Sequence, residues 1–217
     1  MTGPGQDRAP RHLAYRTVRQ HITELALRSP DVADVEVPAC PQWTVRELVA
    51  HVAGHCLRRI GETADGAGGG LVGLLAGWER AAKQVEPLIA DGTEDIELML
   101  MDTFTHELDL CAALGIAPPT DHPAYPWAFD VVVGGLAWSL SSRGLPAVRL
   151  VCESGTWVAG AGPPVPRVTA PRYHLYRSLT GRRTAAQIAE LEWSEDPGRW
   201  LPAFFWGPFN QPARRGD

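Results

Sequence analysis

The sequence predicts a mainly α-helical protein: an antiparallel four-helix bundle over residues 11–145, then a small α+β domain over residues 146–217. Three observations predict it. Four segments with apolar residues at helical spacing fill the first half, and short links between the early ones make neighbours antiparallel. Start and stop signals frame them: Thr44-Val45-Arg46-Glu47 is a T-x-x-E capping box, and Gly115 stands as the C′ glycine of residues 96–114. After Gly144-Leu145-Pro146 the pattern changes to short strand-like runs.

In chain order, residues 1–10, rich in Gly, Pro and charge, read as a disordered lead-in. Leu13, Val18, Ile22, Leu25 and Ala26 mark a first helix over 11–27, broken before Ser29-Pro30. The capping box opens a second helix to about residue 63, with Val45, Leu48, Val49, Val52, Cys56 and Ile60 as its stripe. The glycine run 66–70 lacks the Gly-Lys-Ser/Thr ending of a phosphate loop and reads as a connector. A third helix covers 71–90, which Pro87 should kink or cut short. The fourth covers 96–114, and a Pro-rich crossing leads to a fifth over 127–142. Then come a hairpin, 148–152 with 156–159, a third strand at 167–169, and a helix over 173–179 closed by Gly181. A second capping box, Thr184-Ala185-Ala186-Gln187, opens a helix to about residue 192, and Trp193, Trp200, Phe204, Phe205 and Trp206 are expected to form the core of this part.

Composition narrows the function. An apolar fraction of 45% and a charged fraction of 21% are those of an ordinary globular protein, and the chain of 217 residues is long enough for a sizeable core. A net charge of −5 gives no reason to expect nucleic acid, despite the local cluster Arg8, Arg11, Arg16, Arg19 and Arg28. No apolar run reaches the roughly 20 residues of a membrane span, and the N-terminus lacks the apolar segment of an export signal. Cys40, Cys56, Cys111 and Cys152 lack C-x-x-C spacing and are expected to be reduced thiols. A cytoplasmic location is the expectation.

The chemistry concentrates in Asp102-Thr103-Phe104-Thr105-His106-Glu107-Leu108-Asp109-Leu110. On a helix Asp102 and His106 project side by side, so a carboxylate oxygen and an imidazole nitrogen can chelate one zinc- or nickel-type ion. Asp109 lies one turn further along, placed to orient a ligand or meet solvent. The same three residues also suit the wet face of an amphipathic helix. The stretch is not an H-E-x-x-H motif, because Leu110 stands where the second histidine belongs. On the second helix His51 lies roughly 140° from the centre of the apolar stripe and His55 roughly 100°, so periodicity favours His55 as the boundary residue. His12, His21, His122 and His174 have no partner at ligand spacing and read as surface or structural residues.

Three segments carry a resemblance. The run from Cys40 to His51, C-P-Q-W-T-V-R-E-L-V-A-H, resembles the C-P-x-W-T-V-x-x-L-x-x-H entry of the mycothiol-dependent maleylpyruvate isomerase family, within the wider DinB/YfiT-like metal-binding bundles. Asp102 to Leu110 is similar to that family's E-x-x-x-H-x-x-D-L stretch, and Leu179 to Arg183 to its L-x-G-R-R segment. The resemblance implies a DinB-like bundle holding one divalent metal, zinc or else nickel, through His51, Asp102 and His106, with Asp102 where the family usually has Glu. It implies mycothiol as thiol cosubstrate and a small electrophile as second substrate, hence an S-transferase or a cis/trans isomerase. Arg182, then Arg177, are the catalytic candidates for gripping a substrate carboxylate, although surface or helix-end roles fit both as well. Neither nucleic acid nor membrane is expected as a partner, and the chain is expected to be a monomer or homodimer. A non-catalytic DinB-like binding or pocket protein, in natural-product biosynthesis for example, is the alternative.

Overall fold

The computed structural model describes residues 8–64, 70–163 and 166–215, so most of the lead-in and of the glycine run lies outside the described residues. The chain divides into two compact units. One is Arg8–Ala128; the other comprises the described residues from Phe129 onward. The division falls inside a helix that the sequence reading assigns wholly to the bundle.

The first unit contains α1 (Arg11–Ala26), α2 (Val45–Arg59), α3 (Gly70–Ala90) and α4 (Glu97–Ala113), and α5 (Tyr125–Ser142) begins in it. Within this unit α2 packs on α3 and α4, and α1 packs on α3 and α4. The stripes named above are what they bury: Tyr15, Val18 and Ile22 from α1, Leu48, Val49 and Val52 from α2, Trp78, Ala82 and Val85 from α3. Burial obliges polar atoms to find partners, and the Trp78 indole N–H donates to the Tyr15 hydroxyl at 2.8 Å. Pro87 lies within α3 without ending it. Three of the five N-terminal arginines are paired: Arg11 with Glu97, Arg16 with Glu86 at 2.6 Å, and buried Arg19 with Glu79 and Glu86. Their local positive charge is therefore neutralised by α3 and α4.

Helix α2 starts where its capping box says. The Glu47 carboxylate accepts the Thr44 N–H at 2.6 Å and the Thr44 hydroxyl at 2.9 Å. Just before it, Val37 N–H donates to Trp43 O, Cys40 N–H to Val37 O and Trp43 N–H to Cys40 O, at 2.8–2.9 Å. These bonds fold residues 37–43 into a tight loop that sets Cys40 and Trp43 at the mouth of α2.

The second unit carries a four-stranded sheet in the order β2-β1-β3-β4. The hairpin of β1 (Val148–Cys152) and β2 (Gly155–Ala159) is antiparallel, and β3 (Arg167–Thr169) runs parallel to β1. Helix α6 (Arg172–Leu179) ends at Gly181, whose φ of 69° only glycine adopts without cost. Helix α7 (Ala185–Ala189) is shorter than the sequence suggests, because Glu192–Trp193 leaves it to pair with β3 as β4. Tertiary pairing overrides a helical tail there. Of the expected aromatic core Trp200 and Phe204 are buried, while Trp193, Phe205 and Trp206 are half-buried. None of the four cysteines forms a disulfide, and no described helix is long and apolar enough to cross a membrane.

The Trp206 ring lies so close to α5 that a Cβ on Gly135 would sit 2.2–2.3 Å from its ring carbons, whereas one on Gly134 meets nothing within 4 Å. Gly135→Ala should therefore cost about 1–3 kcal/mol by overpacking, while Gly134→Ala should be stabilising by about 0.5–1 kcal/mol. Urea melts of the two variants check this; equal effects would mean that the indole does not seat on Gly135.

Candidate metal centre

Helix α4 is buried on almost every side from Met99 to Cys111, and Asp102 is the half-exposed exception. The reading of Asp102, His106 and Asp109 as a wet helical face is thus replaced: His106 and Asp109 are interior. Every polar group on this helix needs an internal partner. Thr103 and Thr105 hydroxyls turn back onto Met99 O and Met101 O, at 2.7 and 2.8 Å. Glu107 meets His21 of α1, whose Nδ1 is 2.6 Å away, and His122, whose Nε2 is 3.4 Å away. These two histidines, read as surface or structural, are structural ones.

The structure brings His51, Asp102 and His106 together, with one donor atom of each lying within 4.8 Å of the others. His51 Nε2 stands 3.0 Å from Asp102 Oδ2, and His106 Nε2 stands 3.7 Å from Asp102 Oδ1. His55 joins them: its Nε2 is 3.2 Å from Asp102 Oδ2 and 3.3 Å from His51 Nε2. Both α2 histidines are thus at the site, whereas the stripe angles favoured His55. The cluster is asymmetric in exposure. His51, His55 and Asp102 side chains are 32%, 28% and 28% exposed, but His106 is 7% exposed.

Behind His106 sits Asp109, fully buried, with Oδ2 3.1 Å from His106 Nδ1. The approach is oblique, short of a well-formed hydrogen bond. The Cys40 thiol donates to the same Asp109 oxygen at 3.9 Å. A second donor set, Cys40, His106 and Asp109, therefore shares His106. Asp109 thus lies on the Nδ1 side of the His106 ring, while Asp102 lies on the Nε2 side. Trp43 roofs the pair, its ring centroid 4.8 Å from His51 and 5.5 Å from His106. Neither Cys40, expected only as a reduced thiol, nor Trp43 stood among the predicted site residues; their place immediately before a capping box is the signal that sets them beside α2.

Electrostatics favour an ionised carboxylate here. Burial is the largest influence on Asp102 and raises its pKa, but hydrogen bonds from His51 and His55 and the nearby His106 outweigh it. The carboxyl is held well below the usual range, so Asp102 is an anion aimed at three imidazoles. A carboxylate plus imidazole nitrogens is the donor chemistry that zinc or nickel accepts.

The two predicted arginines lie in the other unit. Arg177 is completely buried, with its guanidinium carbon 5.9 Å from the Tyr173 ring centroid. It is not a surface arginine. Arg182 donates from Nη1 to Thr180 O at 2.6 Å and lies 5.7 Å from the Phe209 ring.

With this geometry in hand, two solved structures share the fold. One is the crystal structure of the mycothiol-dependent maleylpyruvate isomerase, with a TM-score of 0.54 and 17% identity. The other is a histidine-to-alanine mutant of that isomerase, with a TM-score of 0.55 and 16% identity. Each match covers 86% of this chain and 92% of the other. No protein-family model matches the sequence, and no curated protein does. At this identity the likeness shows the fold.

The Glu107 pair supplies a pH test. The hydrogen bond to Glu107 raises the His21 pKa above its usual value, while burial raises that of Glu107 despite His21. A folded-state pKa raised for His21 gives stability that is complete below the unfolded pKa and lost as pH climbs through the folded one. The stability gap between the parent protein and His21→Gln should accordingly be wider at about pH 5.5 than at about pH 8.5. Denaturant melts at both values measure it, and a constant gap would mean that His21 is not paired as a cation.

Proposed function

We propose that this chain is a metal-dependent, thiol-using enzyme, an S-transferase or cis/trans isomerase acting on a small electrophile, with mycothiol as its thiol. The observation that carries the reading is the convergence of His51, Asp102 and His106 from α2 and α4, closed on the His106 side and open on the α2 side. An open side is what separates a catalytic metal site from a closed structural one. The shared fold with a mycothiol-dependent isomerase supports the choice of thiol. In this reading α1 to α4 are the four helices of a DinB-like bundle.

A bound zinc- or nickel-type ion would supply a Lewis acid that holds a thiol as thiolate at neutral pH. The chain's own residues do the rest. His51, Asp102 and His106 hold the ion, and Asp109 keeps His106 Nε2 turned toward it by occupying the Nδ1 side. Trp43 covers the two imidazoles and excludes water from that face of the site.

Protein purified without chelators should carry about one such ion per chain, and His106→Ala should lose it while keeping its helix content. Elemental analysis beside circular dichroism reads both. Asp109→Asn, which keeps the shape and removes the charge, should weaken the ion about 10–100-fold.

The thiol is tested separately. A free thiol has a pKa of about 8.5, so binding as thiolate near pH 7 should release about one proton per site. Calorimetry in two buffers of different ionisation enthalpy counts that proton directly. Equal thiol affinity with and without metal, or no proton released, would move the chain to the class of non-catalytic binding proteins.

A further inference from the structure

The site holds one more donor than the three residues assigned to it. We propose that His55 is a fourth protein ligand of the same ion, so that α2 contributes two imidazoles one helical turn apart. This deepens the metal reading above and rests on it.

The argument is one of spacing. Donors bound about 2.0–2.1 Å from a common ion stand about 2.9–3.4 Å from one another for angles between 90° and the tetrahedral value. His51 Nε2, His55 Nε2 and Asp102 Oδ2 form a triangle with sides of 3.0, 3.2 and 3.3 Å. All three sides fall in that window. The His106 approach to Asp102, at 3.7 Å, is the longer one. His55 therefore has the spacing of a ligand toward His51 and Asp102, whereas His106 approaches the other carboxylate oxygen, Oδ1.

Two further features agree. Residues 51 and 55 lie four apart on α2, so their side chains stand over one another and can share one ion. The His51 and His55 rings meet edge to face with centroids 4.7 Å apart, and both Nε2 atoms lie against Asp102 Oδ2, at 3.0 and 3.2 Å. On the outer side of the ring, Arg58 Nη2 stands 2.7 Å from His55 Nδ1. A ligating Nε2 needs the ring proton on Nδ1, so the Arg58 donor has to leave when the ion binds. Arg58 is an exposed residue and can do so.

The test uses the full chain with nitrogen-15-labelled histidine, loaded with cadmium-113. The large one-bond coupling between the two nuclei appears only where an imidazole nitrogen is bonded to the ion. Three coupled imidazoles, of which His55→Gln removes one while cadmium stays bound, is the expected result. Two coupled imidazoles, unchanged by His55→Gln, would overturn the proposal and leave the three-residue site standing. Failure of the parent protein to take up cadmium or zinc at all would overturn both. As an independent readout, Arg58→Gln should tighten metal binding more in the parent than in the His55→Gln background, because only with His55 present does Arg58 compete for the ring. Equal tightening in both backgrounds would count Arg58 as a distant charge and remove His55 from the ion.

Discussion

A helix buried on almost every side cannot easily leave a carboxylate or an imidazole unanswered, and α4 carries four such groups in eight residues, three of them buried and Asp102 half-exposed. Each unanswered group would cost several kcal/mol, a large share of the roughly 5–15 kcal/mol that holds a domain together. The answers come from different places. Glu107 is met by His21 of α1 and by His122, Asp109 by His106 and Cys40, and Asp102 by the two histidines of α2.

The consequence is a centre with two unlike sides. His106 is 7% exposed, with Asp109 behind it and Trp43 over it. His51 and His55 stand on the half-exposed edge of α2, where an incoming group can reach them. Burial on one side and access on the other come from the same cause, since α4 is enclosed and α2 is not.

Much of the fold was legible because it was written in local signals. The capping boxes at Thr44 and Thr184, the C′ glycines 115 and 181 and the apolar stripes of α1, α2 and α3 all mark real boundaries. What failed was non-local. The tail of α7 reads as helix until β3 claims Glu192 and Trp193. Helix α4 reads as amphipathic because its polar residues recur at three and four, and only the enclosure by its neighbours turns that face inward. Helical spacing suggested Asp102 and His106 as a pair, His51 came from the resemblance, and the periodicity of α2 pointed instead to His55. The structure sets both α2 histidines against Asp102. Arg177 looked like a residue near a helix end, and its complete burial has no local signature.

The cap at Thr44 has a reach well beyond its own turn. By fixing where α2 begins, it fixes the phase of every later residue, at 100° for each position. His51 and His55 lie two and three turns further on, and both face Asp102. A start displaced by one residue would rotate both imidazoles by about 100°, away from the carboxylate, and would bring Val52 and Cys56 toward the site in their place. The loop of residues 37–43, held by its three backbone hydrogen bonds, enters that cap and leaves Trp43 against the imidazoles. The same short stretch of chain thus sets the register of two donors and covers them, so an error in the cap and an error in the site are one and the same error.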